Sequence, residues 1–139
     1  MNETTFWHYL RERMLGHWEA DRIENLCGSG TPDVTFTVPS KHGWIELKYL
    51  ENFPKRPTTK VKIACFTDQQ KLWLTRRGRL AGDCWLFVRV GKEMFLFSWD
   101  QVYSVEEWTQ AEWRDNACFM TRVGSFNGLK LYKTLNGPV

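Results

Sequence analysis

The stretch from Gly28 to Leu50 restricts what this chain can fold into more than any other. Two runs of alternating character, Asp33–Val38 and Trp44–Leu50, flank a turn carrying Pro39, Ser40 and Gly43. Strand geometry puts Val34, Phe36 and Val38 on one side of the first run and Asp33, Thr35 and Thr37 on the other. On the second run Ile45, Leu47 and Tyr49 share a face, and Trp44, Glu46, Lys48 and Leu50 share the opposite one. Glu46 and Lys48 therefore stand together, roughly 7 Å apart along the strand. A hairpin brings Asp33 beside them.

Two carboxylates and one lysine at the end of a sheet form a site for a divalent cation with an ammonium next to it. Such a set suits phosphodiester hydrolysis: the cation binds a phosphate oxygen and activates water, while the lysine positions the nucleophile or offsets developing charge. The plainer alternative is a hairpin with a solvated Glu–Lys pair, since charged residues usually face water. Two features favour a built site. Trp44 and Leu50 are interleaved with the charged pair, and a glycine-rich loop leads straight into Pro32-Asp33.

Length and composition set the frame. At 139 residues, 42% apolar and 25% charged, the chain is expected to form one domain with a real core. Eight Trp, nine Phe and four Tyr make that core, or a binding surface, rich in aromatic rings. No run approaches the ~18 apolar residues of a membrane span, and the polar N-terminus is unlike a signal peptide, so a cytoplasmic protein is expected. Cys27, Cys65, Cys84 and Cys118 form no C-x-x-C pair, and the three His are not spaced as ligands. Reduced, mostly buried thiols are expected rather than a structural zinc site.

The net charge of +3 is modest, but its distribution is uneven. Lys55, Arg56, Lys60, Lys62, Lys71, Arg76, Arg77 and Arg79 place eight of the 19 basic residues in one quarter of the chain. Clustering of this kind serves contact with a polyanion, or else marks a solvated face.

The remaining chain reads as alternating elements. Residues 3–15 form an amphipathic helix with Asn2 as N-cap and a stripe of Trp7, Leu10 and Met14, with Phe6 at its edge. Glu3 falls within that stripe, whereas Glu12 lies nearly opposite and is expected in solvent. His17–Asn25 reads as a first strand, with Trp18, Ala20, Arg22 and Glu24 on one face. Residues 51–62 read as a long basic loop, and long loops in small domains are often functional. A helix over 67–79 opens with Thr67 and Gln70 in a capping box. Cys84–Val90 is an apolar strand parallel to Trp44–Leu50, or close to it. Gly91-Lys92 turns the chain into an antiparallel edge strand, Met94–Trp99. Beyond it come a helix over 104–117 capped by Ser104 with Glu107, and short strands at Cys118–Val123 and Leu129–Tyr132.

Pro32-Asp33 followed by Glu46-Leu47-Lys48 resembles the signature of the PD-(D/E)XK nuclease superfamily. The fuller string, Gly30-Thr31-Pro32-Asp33, then Gly43-Trp44-Ile45-Glu46-Leu47-Lys48, then Thr67 and Gln70, is similar to its virus-type replication-repair (VRR-NUC-like) branch and to small phage-encoded nucleases. The likeness spans roughly residues 3–90.

That resemblance implies an α/β fold with a restriction-endonuclease-like αβββαβ core, a mixed sheet flanked by helices, followed by a C-terminal helix and short strands. The core would occupy about residues 3–99 and a C-terminal extension about 100–139, within a single nuclease-like domain. It further implies a Mg²⁺- or Mn²⁺-dependent DNA endonuclease in which Asp33 and Glu46 bind the metal with the carbonyl of Leu47. Lys48 would stand beside the attacking water. A first-helix glutamate often reaches the site in this superfamily; Glu3 fits best, against a purely helix-dipole role. Glu24 is either a further metal-shell acid or a salt-bridge partner. Gln70 can border the site as well as cap its helix. Lys55, Arg56, Lys60, Lys62, Arg76 and Arg77 are expected to meet phosphates. Small members of the branch are often homodimers acting on branched DNA such as four-way junctions, and a phage-encoded protein acting in a host cytoplasm would suit them. The competing possibility is a non-catalytic nucleic-acid or partner-binding module on the same fold. It leaves unexplained why Asp33 and Glu46 should face a polyanion. A structural protein with a charged hairpin is a third.

Overall fold

The computed structural model describes residues 2–14, 19–23, 30–39, 41–126 and 128–136, apart from the side chains of Met14, Leu129, Tyr132 and Asn136. Six strands lie side by side in chain order: β1 (Glu19–Arg22), β2 (Val34–Val38), β3 (Lys41–Leu50), β4 (Cys84–Val90), β5 (Glu93–Ser98) and β6 (Phe119–Arg122). Every neighbouring pair is antiparallel except β3 and β4. Those two are parallel because helix α2 (Asp68–Ala81) carries the chain back between them. With α1 (Glu3–Met14) at the front, the order αβββαβ is the one expected, in a mixed sheet with helices on both faces.

The two faces have separate cores. On one, Phe6, Trp7 and Leu10 of α1 pack against Val34, Phe36, Ile45, Leu47, Phe87 and Met94, joined by Leu131 and Leu135 of α4 (Gly128–Asn136). Asn2 caps α1 by accepting the Thr5 N–H at 2.9 Å. On the other, Leu74 of α2 and Trp113 of α3 (Gln110–Asn116) cover Leu86, Val88, Phe95 and Phe97 together with Val61, Ile63 and Phe66 of the long loop. Strands β4 and β5 are buried on both sides, which is why their sequences are nearly continuous apolar runs. The Trp113 indole N–H donates to the Val105 carbonyl at 2.8 Å, so its polar end is satisfied in the core.

Register delivers the polar residues. β2 pairs with β3 from Val38↔Lys41 to Val34↔Ile45 and stops there. β3 runs five residues further, from Glu46 to Leu50, with no strand beside it on that edge among the described residues.

Several expectations are corrected. Gly43 is not in the turn but in β3, opposite Phe36, where a Cβ would lie 2.3 Å from the Asp83 carbonyl. Only glycine admits that approach, and the neighbouring Trp44 N–H bonds the same carbonyl at 2.9 Å. β5 is not an edge strand, because β6 pairs with it. Residues 104–117 are not one helix. Trp108 is extended, and the helix starts one turn later under a Thr109–Glu112 capping box, the same spacing that Ser104–Glu107 offered. Leu129–Tyr132 is part of α4, not a strand; Leu131 and Leu135, four apart, are the residues it buries. Cys65 and Cys118 are exposed, and only Cys84 of the described cysteines is buried. Among the described residues no helix is long and apolar enough to cross a membrane.

Candidate active site

Asp33 immediately precedes β2, and its own carbonyl accepts the Ile23 N–H from the β1 side at 2.6 Å. Its carboxylate reaches over the end of the ladder and accepts the Leu47 N–H at 3.1 Å. Asp33 thus occupies the place where β2 would have continued. In a strand the N–H and C=O of one residue face the same neighbour, so the Leu47 carbonyl opens on that side too.

Glu46 and Lys48 are buried, on the α2 face of β3. One Glu46 oxygen lies 3.4 Å from Lys48 Nζ. The other, Oε1, is buried without any hydrogen-bond partner. Burial pushes the Glu46 carboxyl up to about 9, with the Asp33 charge adding to the shift and Lys48 opposing it. At neutral pH and without a cation, Glu46 therefore keeps its proton.

Lys48 is held from three sides. Nζ donates to the Cys65 carbonyl at 2.8 Å and lies 3.7 Å from Glu3 Oε1, in addition to Glu46. The Phe66 ring centre is 5.9 Å away. Cys65 is the one non-glycine of the described residues with a positive φ, 61°. Its main chain, not its exposed thiol, makes the contact. Sequence reasoning missed Cys65, and no sequence signal identifies a non-glycine residue in that conformation.

Glu3 sits in the first turn of α1, and its Oε1 reaches Lys48. Burial raises its carboxyl above the ordinary value against the pull of Lys48. Glu12 is exposed beside Arg13, as expected. Glu24 lies outside the described residues. A cavity of about 370 Å³ opens next to Lys48, lined by Asn2, Glu3, Thr4, Arg22, Tyr49, Ala64 and Cys65.

Gln70 completes the capping box, its Oε1 accepting the Thr67 N–H at 3.0 Å. Gly30, in the loop entering Asp33, packs on the backbone of Gln69 and Gln70, so this helix start abuts the loop that delivers Asp33. The basic residues separate into two groups. Lys60 pairs with Glu107 at 2.6 Å, and Lys62 donates to the Glu106 carbonyl at 2.9 Å, which ties the long loop down. Lys55, Arg56, Arg76 and Arg77 are exposed and have no ion pair among the described residues.

The donor set suits a hard divalent cation: two carboxylates and a carbonyl, all oxygens. The unpartnered Glu46 oxygen, and the cost of ionising Glu46 in a buried place beside Asp33, are both relieved by a +2 charge. Among the described residues, no three His, Cys, Asp or Glu side chains form a cage. Such a site leaves positions for water and substrate, as Mg²⁺ ordinarily requires.

No protein-family model matches this sequence, and no curated protein matches it. Among solved structures, the chain is similar to that of Archaeoglobus fulgidus Hjc, a Holliday junction resolvase from an archaeal hyperthermophile. Sequence identity is 17%, the match covers 71% of this chain and 74% of that one, and the TM-score is 0.49.

Proposed function

We propose that the protein is a metal-dependent endodeoxyribonuclease of the PD-(D/E)XK type, using Mg²⁺ or Mn²⁺ to hydrolyse phosphodiester bonds. The observation that carries this reading is the convergence of Asp33, Glu46 and Lys48, with one buried Glu46 oxygen lacking a partner. Asp33, Glu46 and the Leu47 carbonyl would hold the cation, which when bound supplies a Lewis acid and lowers the pKa of water. The protein's own part is positional. The Leu47 N–H fixes Asp33, and the Cys65 carbonyl and Glu3 orient the Lys48 ammonium toward the space beside Glu46. The ammonium offsets charge on a phosphate brought there.

Branched DNA as preferred substrate and a homodimer as working form are proposed from the sequence resemblance. Supercoiled, duplex, single-stranded and four-way-junction DNA, each incubated with Mg²⁺, Mn²⁺ or EDTA, test both metal dependence and preference. Sedimentation gives the oligomeric state. Lys48→Ala is expected to keep metal binding by calorimetry while turnover falls at least about a hundredfold, the scale of losing one positioned charge stabiliser. Undiminished turnover in that variant would overturn the role of Lys48.

A further inference from the structure

On the α2 side of the sheet, the helical cover among the described residues stops at β3. The β2 residues facing that way are Thr35, half-buried, and Thr37, exposed, rather than apolar residues. Both hydroxyls lie 3.1 Å from the His42 ring nitrogens and hold the imidazole upright on β3. Next to it stands Trp44, with ring centres 6.0 Å apart. Trp44 meets Trp73 of α2 edge-to-face at 5.2 Å. The Arg77 guanidinium lies 4.6 Å from the centre of the Trp73 ring. Trp73, Arg76, Arg77 and Leu80 line a cavity of about 260 Å³ along the helix. The result is a trough with a hydroxyl floor and an aromatic wall with two guanidiniums.

The trough begins at the carboxylates. Trp44 precedes Glu46 by two residues on the same face of β3, one strand repeat of roughly 7 Å. Asp83, just beyond the end of α2, is paired with Lys41 at 3.8 Å. On the far side, Asp21 and Glu19 sit opposite Thr35 and Thr37 on β1, both exposed. They make the outer edge of the sheet repellent to a polyanion and confine it to the α2 side.

We propose that this trough binds an unpaired DNA strand running out from the catalytic carboxylates, its bases against Trp73 and Trp44 and its phosphates at Arg76 and Arg77. Stacking faces beside fixed positive charge suit single strands, because every base has a π-face and every nucleotide a phosphate. A duplex hides its base faces and can use only the charges. The substrate class is therefore DNA with a single-stranded segment adjoining the cut, as at a flap or fork. This rests on the nuclease reading for what lies at the trough's inner end, but its test needs no turnover.

The test is fluorescence anisotropy on the full chain in EDTA, with a labelled single strand, a blunt duplex and the same duplex carrying a single-stranded tail. The single strand and tailed duplex are expected to bind about tenfold tighter than the blunt one, the scale of one stacked base. Arg76→Gln with Arg77→Gln should weaken single-strand binding about tenfold and reduce the salt slope by about 1.4, two phosphates' worth. Both side chains are exposed, so the fold should survive. Trp73→Phe should retain most affinity, and Asp21→Asn with Glu19→Gln should leave it unchanged or tighter. Equal losses on tailed and blunt DNA, or no loss on either, would overturn the proposal. So would a dimer that dissociates in the arginine variant with DNA affinity intact, since the trough's occupant would then be a second copy. Intact binding without cleavage by the wild type would instead count against the nuclease reading alone.

Discussion

At the scale of single residues, Glu46 links the site to stability. Its carboxyl stands near 9 when folded, against an ordinary 4.5. Below the ordinary value both folded and unfolded chains hold the proton, and this group adds no pH dependence. Between the two values the unfolded chain releases the proton and the folded chain keeps it, so stability falls as pH rises through that window. Melting of the metal-free protein should show this decline, on the order of a few kcal/mol by pH 8. Mg²⁺ should reverse it and Glu46→Gln should abolish it. A flat profile across the window would contradict the burial of a carboxyl here.

Cys65 gives a sharper residue-scale test. A left-handed conformation costs a non-glycine residue about 1–2 kcal/mol, and its carbonyl holds Lys48. Cys65→Gly should therefore melt no lower than the parent and keep full turnover. Cys65→Val, β-branched and ill suited to positive φ, should destabilise and lower kcat while leaving the KM for DNA unchanged. Matching kinetics for both variants would remove Cys65 from the positioning of Lys48. Period-two alternation made Asp33, Glu46 and Lys48 legible in the sequence, and helical periodicity did the same for Glu3. The partners of Lys60 and Lys62 were not legible, because Glu106 and Glu107 come from more than forty residues away.

At the scale of elements, local signals located what they described. The Thr67–Gln70 capping box starts α2 as expected, and Gly82 ends it at φ 80° with its N–H on the Gly78 carbonyl. Where two copies of one signal stood five residues apart, Ser104–Glu107 and Thr109–Glu112, only tertiary contacts chose between them. The Trp108 carbonyl is taken by Val61, which holds the chain extended and delays the helix. Gly78 shows a constraint no periodicity reveals. A Cβ there would lie 2.1 Å from Trp99, so the helix packs on that indole through bare backbone. Gly78→Ala should cost about 1–3 kcal/mol despite its better helix propensity, read as a lower urea midpoint with unchanged m. A stabilised variant would show that the Trp99 contact yields easily.

At the scale of the whole molecule, the sheet order follows the chain order, which is why the core could be drawn from strand signals and one handedness rule. The C-terminal residues resisted because they complete structures begun elsewhere. β6 shields the exposed edge of β5, and α4 fills the space beside α1. Neither has a pattern that specifies its partner in advance.

The short link between β2 and β3 has a consequence for how this chain can vary. Residues 39 and 40 alone separate Val38 from Lys41, so parity fixes which way Asp33 looks. An odd-numbered insertion there must bulge out or rotate the aspartate to the wrong side of the sheet. One glycine added after Pro39 should erase cleavage while the protein still melts cooperatively, whereas one added between the exposed Thr58 and Thr59 should do little. A connection of two residues would then be less free to change its length than the long exposed loop that follows β3.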